Sequence, residues 1–209
     1  MGGRLMSIVL NSAGGGSITL QEPSTASNRT LTLPDNTGNL ISTADSGTVS
    51  PTMLSQKLTL MTAQTASGSS VDFTGIPSWA KRLTLILSGV STNGTSNYLV
   101  QIGDGAVTTT GYSSVGTGMD ATGVSITAYT AGFGIRSTSA AYAVNGLLVL
   151  TLISANTWVA SGVLSTALPL TFTTSGSKSL TNALDRIRIT TVNGTDTFDA
   201  GTINVMYEG

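Results

Sequence analysis

The stretch Arg82–Ile102, RLTLILSGVSTNGTSNYLVQI, decides the fold class. Leu83, Leu85 and Leu87 fall at alternate positions, and so do Tyr98, Val100 and Ile102. Side chains of a strand alternate between its two faces, so this spacing predicts two half-buried strands rather than a helix. Between them lies Asn93-Gly94, the pair that accepts positive φ in tight turns and predicts a hairpin. Working outward, the same signal predicts strands near Gly123–Tyr129, Leu147–Ile153, Thr157–Val163, Leu168–Thr173, Arg186–Thr191 and Thr202–Tyr207. Asn145-Gly146 and Asn193-Gly194 are read as further hairpin turns. The run Gly146–Ile153, GLLVLTLI, is apolar at both parities and is placed centrally in a sheet. Strands this short, at this regular spacing, predict an antiparallel β-sandwich of jelly-roll-like kind.

The first third of the chain reads differently. Ser7–Leu10, Ser17–Leu20 and Thr30–Leu33 are short alternating stretches, with Ile18/Leu20 and Leu31/Leu33 on their apolar sides. Gly14-Gly15-Gly16, Pro23, Pro34 and Gly38 interrupt them. A lone short hairpin is marginal in water, so this segment needs a second surface. Ser50–Leu58 predicts one short helix, with Ser50 as cap, Pro51 in its first turn and Leu54/Leu58 on one face. Thr62–Ser70 reads as a linker. The expected organisation is an all-β chain with an attachment or stem segment over residues 1–65 and a head domain over 70–209.

Composition narrows the chemistry. Of 209 residues only 9% are charged, against roughly 25% in ordinary soluble domains. The net charge is −1, with nine basic residues scattered along the chain, which argues against a nucleic-acid partner. No apolar run approaches the roughly 20 residues of a helical span, so no membrane insertion is expected. The N-terminus lacks the longer apolar stretch of an export signal. With no cysteine and no histidine, thiolate sites, His-based metal sites and Ser-His-Asp or Cys-His catalysis are excluded. No cofactor is expected. A carboxylate pair drawn from Asp72, Asp104, Asp120, Asp185, Asp196 and Asp199 is the remaining catalytic option, but each reads first as a turn former or local ion-pair partner.

Among the aromatic residues, Trp79 is read as structural, at the entrance to the second part. Thr108–Ser139 is rich in Gly, Ser and Thr and weak in periodicity, so it reads as a loop region. Tyr112 and Tyr129 within it, with Trp158 next in line, are the expected anchors of any receptor contact.

ITLQEPSTASNRTLTLPDNTGNLIST (residues 18–43) resembles a segment found near the N-termini of tailed-bacteriophage fibres and other virion structural proteins. VDFTGIPSWAKRLTLILSGVSTNGTSNYLVQIGDG (71–105) and LDRIRITTVNGTDTFDAGTINVMYEG (184–209) resemble fibre modules too. The resemblance implies a non-enzymatic virion protein, made in the host cytoplasm and built into the particle. It implies a short trimeric fibre of tail, neck or head, with sister chains in a homotrimer and other virion proteins as partners. A host-surface glycan is a candidate contact. Ile18, Leu20, Leu31, Leu33 and Pro34 would then attach the fibre to the virion. Two rivals remain: a decoration or joining protein of the capsid with no receptor, and a small polysaccharide depolymerase.

Overall fold

A computed structural model describes residues 7–11, 13–21 and 56–209. The chain divides into two compact units, Met1–Asp45 and Ser46–Gly209. In the first, β1 (Ser7–Asn11) and β2 (Ser17–Gln21) form an antiparallel hairpin. Ile8 stands opposite Leu20 and Leu10 opposite Ile18, around a turn in which Gly15 has φ 82°. The expected strand Thr30–Leu33, with Leu31, Leu33 and Pro34, lies outside the described residues. So does most of the expected helix; Gln56–Leu58, which are described, are not helical.

The second unit is built of antiparallel strands. They are β3 (Thr59–Leu60), β4 (Gln64–Thr65), β5 (Ser70–Thr74), β6 (Arg82–Thr92), β7 (Tyr98–Gly103), β8 (Ser113–Asp120) and β9 (Gly123–Tyr129). There follow β10 (Phe133–Ile135), β11 (Val144–Ser154), β12 (Thr157–Ser165), β13 (Thr171–Ser179), β14 (Arg186–Thr191) and β15 (Phe198–Glu208). A large sheet runs β3-β15-β6-β11-β12-β13-β8-β9, with β4 also on β15; a small one runs β10-β7-β14-β5. Leu83, Leu85, Leu148, Leu150, Leu164 and Phe172 of the large sheet share one core with Val100, Ile102, Phe133, Ile187 and Ile189 of the small one. Burial of these apolar faces is the main favourable term for such a fold. Alternation explains which residues go in: on β6, Leu83, Leu85 and Leu87 are buried while Arg82 and Ser88 are exposed.

β7 is buried at all six positions. Its second side is covered by the Ala131–Gly132 backbone, where Gln101 Nε2 donates to Ala131 O at 2.9 Å. A Cβ on Gly132 would stand 3.0 Å from Val100 O and 3.1–3.2 Å from the Leu99 and Gln101 side chains, so glycine favours this close approach.

Several expectations are corrected. Residues 59–65 are not stem: β3 and β4 pair with β15, and the second unit begins at Ser46. Thr62–Ser70 is not a linker, because Ala66 is buried and Gly68 bridges Phe198. Asn93-Gly94 and Asn193-Gly194 close no hairpins. Each carries the chain from one sheet to the other, β6 to β7 and β14 to β15. The two turns lie side by side. Asn93 N donates to Thr197 O at 3.0 Å, and Asn93 Oδ1 accepts from Thr197 N at 2.9 Å. Asp196 accepts from Ser96 N at 2.9 Å and from Asn193 Nδ2 at 2.6 Å, which holds its carboxyl below the usual range. Asn145-Gly146 is a bulge at the start of β11, with Gly146 at φ 140°. The expected strand Leu168–Thr173 begins later, at Thr171.

Around the expected strand Gly123–Tyr129, which is β9, Thr108–Ser139 is likewise no loop region but also holds β8 and β10. Its inward positions on β8 are Ser114, Gly116 and Gly118, so no apolar alternation marks the buried face. The small residues let β10 approach the large sheet closely. Gly134 N donates to Ser114 Oγ at 3.2 Å, and Thr174 Oγ1 donates to Gly134 O at 2.8 Å. A Cβ on Gly116 would fall 2.5 Å from Gly134 O.

Candidate functional site

The three expected anchors lie inside the protein. Tyr112 is buried against Phe133, edge to face at 5.1 Å between ring centres. Its hydroxyl accepts from Ile102 N at 2.8 Å and has Thr108 O as an acceptor at 2.9 Å. Burial pushes its pKa up to about 12. Lys178 Nζ stands 5.3 Å from the ring centre and donates to Thr110 O, closing off the ring at the rim. Tyr129 is buried as well, its ring filling the space over Gly134 and Gly116, and burial raises its pKa. Trp158 is 2% exposed. It lines a cavity of about 70 Å³ with Ser78, Lys81, Leu152, Asn156 and Leu184. As they stand, none of the three offers an open ring face to a receptor. The physical reasons differ: the glycines at 116 and 134 leave room that the Tyr129 ring fills, Tyr112 packs into the core on Phe133, and Trp158 is an inward residue of β12. Trp79 packs half-buried against Tyr207 at 5.5 Å, a structural place.

The tyrosine left at a surface groove is Tyr142. The groove has a volume of about 200 Å³ and lies between the β8–β9 turn and the β12–β13 connection. Asp120 and Thr122 stand on one side, Leu168, Pro169 and Leu170 on the other. Tyr142 rests on Phe172 at 6.1 Å. The Asp120 carboxylate accepts from the Thr122 hydroxyl and from the backbone N–H groups of Thr122, at 2.7 Å, and Gly123, at 3.1 Å. Those bonds hold its pKa below the ordinary carboxylate value, the Thr122 hydroxyl contributing most. The groove therefore presents one ring, an apolar wall and one fixed negative charge. That set suits a neutral polyol: the ring covers its C–H face and the carboxylate accepts from its hydroxyls. Tyr142 stood among the aromatic residues of the sequence, but only its partial exposure in the fold separates it from buried Tyr112 and Tyr129.

The other aspartates weighed for catalysis are each engaged locally. Asp72 pairs with Arg188 in two bonds of 2.7 and 2.9 Å. Asp185 pairs with Arg186, which holds its pKa down. Asp104 accepts from Asn182 N at 2.6 Å, and Asp199 accepts from the Ser91 hydroxyl. Among the described residues no cluster of three or more acidic, His or Cys side chains is placed to hold a metal ion.

The second feature is a surface. The large sheet buries one side, and its outward side is open. Among the described residues, nine of the twelve exposed large hydrophobic residues stand on it: Leu60, Val115, Met119, Val124, Ile126, Leu147, Ile153, Val159 and Val163. β11 lies between β6 and β12, the central place expected, yet Leu147 is 46% and Ile153 62% exposed. An exposed sheet face with this many apolar side chains marks an interaction surface more often than an idle one. Ser and Thr fill the remaining outward positions on β12 and β13.

Compared with known proteins, the chain matches no protein family, no curated protein and no solved structure.

Proposed function

We propose that this chain is a structural component of a tailed-phage virion, a short homotrimeric fibre of tail, neck or head. In this reading it is made in the host cytoplasm and works in the particle without catalysing a reaction. The first unit attaches it, through Ile18 and Leu20 on β2 and through Leu31, Leu33 and Pro34. The second unit, read as a jelly-roll-like β-sandwich, faces outward. Two things support this: the resemblance carried by residues 18–43, and a surface built from hydroxyls and uncharged apolar side chains. The single observation that carries it is the open apolar side of the large sheet, which fits a protein that works by contact. The place for a host-surface glycan moves from Tyr112, Tyr129 and Trp158 to the groove of Tyr142 and Asp120.

The test is made on the purified chain and on purified particles. Light scattering should give about three times the mass of one chain. An antibody against the second unit should label particles at a fibre. Absence of the chain from particles would overturn the reading. Label spread evenly over the capsid would favour the decoration protein, and turnover of capsular or lipopolysaccharide substrate would favour the depolymerase.

A further inference from the structure

We infer that the outward side of the large sheet is where copies of this chain meet. The inference rests on the homo-oligomeric reading above and assigns it a surface. In one register row across six strands stand Ile86, Leu147, Val163, Thr173, Thr117 and Ile126. The next row runs from Val149 through Ser161 and Ser175 to Val115, with the same mixture of apolar and hydroxyl side chains. Thr117 and Thr173 share a hydrogen bond of 2.6 Å, so even the polar members of the first row are partly satisfied within the sheet.

The chemistry selects the occupant. No charged side chain stands at the outward positions of β11, β12, β13, β8 or β9. At one end of the face Arg82 and Glu208 pair with each other at 3.1 Å, and at the β8–β9 turn the Asp120 carboxylate is bonded to Thr122 and Gly123. A second copy of this face therefore meets it without like-charge repulsion, and interface centres are depleted of charge in this way. A nucleic acid would need a basic surface, and the face has none. A glycan would want an aromatic platform and a membrane surface an aromatic or basic rim, and these outward positions carry no ring. Sheet faces of Val, Leu, Ile, Ser and Thr pack on one another across about 10 Å, and in a homotrimer three such faces turn toward the three-fold axis to close a shared dry interior. Six strands of about 4.8 Å spacing, over roughly seven residues each, give roughly 600 Å² in projection. The side chains stand above that plane, so the accessible area approaches the ~800 Å² per partner of a standard interface.

The test uses the full chain. Val163 is 64% exposed near the middle of the face, and Thr74 is exposed on the small sheet. Val163→Lys should lower self-association by more than tenfold, read as a shift of sedimenting mass toward the monomer, with the thermal transition retained. Thr74→Lys should leave the mass unchanged. Because the chain has no cysteine, Val163→Cys provides a second readout that does not depend on tolerating a charge. Mild oxidation should link Val163→Cys chains in pairs and leave Thr74→Cys chains single. A parent chain that is monomeric at micromolar concentration overturns the oligomeric reading and this inference together. An oligomer that survives Val163→Lys and does not cross-link through Val163→Cys overturns the inference alone.

Discussion

The outward sides of the two sheets obey the same alternation and end with opposite chemistry. On the small sheet Arg188 lies between Asp72 and Gln101 in register. It is held by a two-pronged ion pair to Asp72, and Gln101 is tied to Ala131 O. On the large sheet the equivalent positions carry Leu147, Val163 and Ile126 with Ser and Thr between them. The inward members of each strand specify the core and are alike in both sheets. The outward members specify the environment, and they differ. Polar groups bonded within the sheet suit water. An uncharged apolar side suits another protein surface.

The sharpest way to break this comparison uses two neighbouring leucines on β11. Leu148 is fully buried and Leu147 is 46% exposed. Leu148→Ala should lower the unfolding free energy by about 2–5 kcal/mol, the range for a buried leucine that leaves a cavity. Leu147→Ala should cost no more than about 0.5 kcal/mol in denaturant unfolding of the dilute chain. Equal penalties would mean that the outward side is already closed within one chain.

A smaller effect distinguishes buried rings from surface rings. Tyr112 titrates at about 12 instead of about 10 because burial disfavours the phenolate. The folded state thus holds this proton more tightly than the unfolded one. The resulting stability is complete below about pH 10 and drains away as the pH rises toward 12. At ~1.4 kcal/mol per unit it amounts to roughly 3 kcal/mol. Tyr98 and Tyr129 are raised by burial too and act with the same sign. Denaturant unfolding followed from neutral pH to pH 12 should show this decline. A flat profile would return Tyr112 to solvent and restore it as a receptor anchor.

The smallest effect belongs to the small sheet's outward side. The Arg188 and Asp72 side chains are 36% and 38% exposed, so solvent screens much of their attraction. Asp72→Asn should cost at most about 1 kcal/mol, and less at high salt. It should leave the sedimenting mass unchanged. A change in mass would show that charged surface also takes part in assembly.

Much of the second unit was legible because its strands alternate cleanly. Arg186–Thr191 matches β14, and Arg82–Leu87 and Tyr98–Ile102 lie within β6 and β7. β8 and β10 were hidden because their buried positions include Ser114, Gly116 and Gly134, which carry no apolar signal. One expected receptor anchor went astray for the same reason: Tyr129, which reads as a loop tyrosine, fills the space beside Gly116 and Gly134. The groove at Tyr142 joins two hairpin ends far apart in sequence, so no local pattern could announce it.

By itself the sequence determined the fold class, the low charge and which residues of most strands share a face, because these follow from local composition and period-2 spacing. Tertiary structure alone decided that Asn93-Gly94 and Asn193-Gly194 join the two sheets, since the Asn-Gly turn signal is local and the strand it leads to is not. It also decided which apolar face stays open. The two sides of β11 look alike in sequence, and only the arrival of the small sheet on one of them separates Leu148 in the core from Leu147 at the surface.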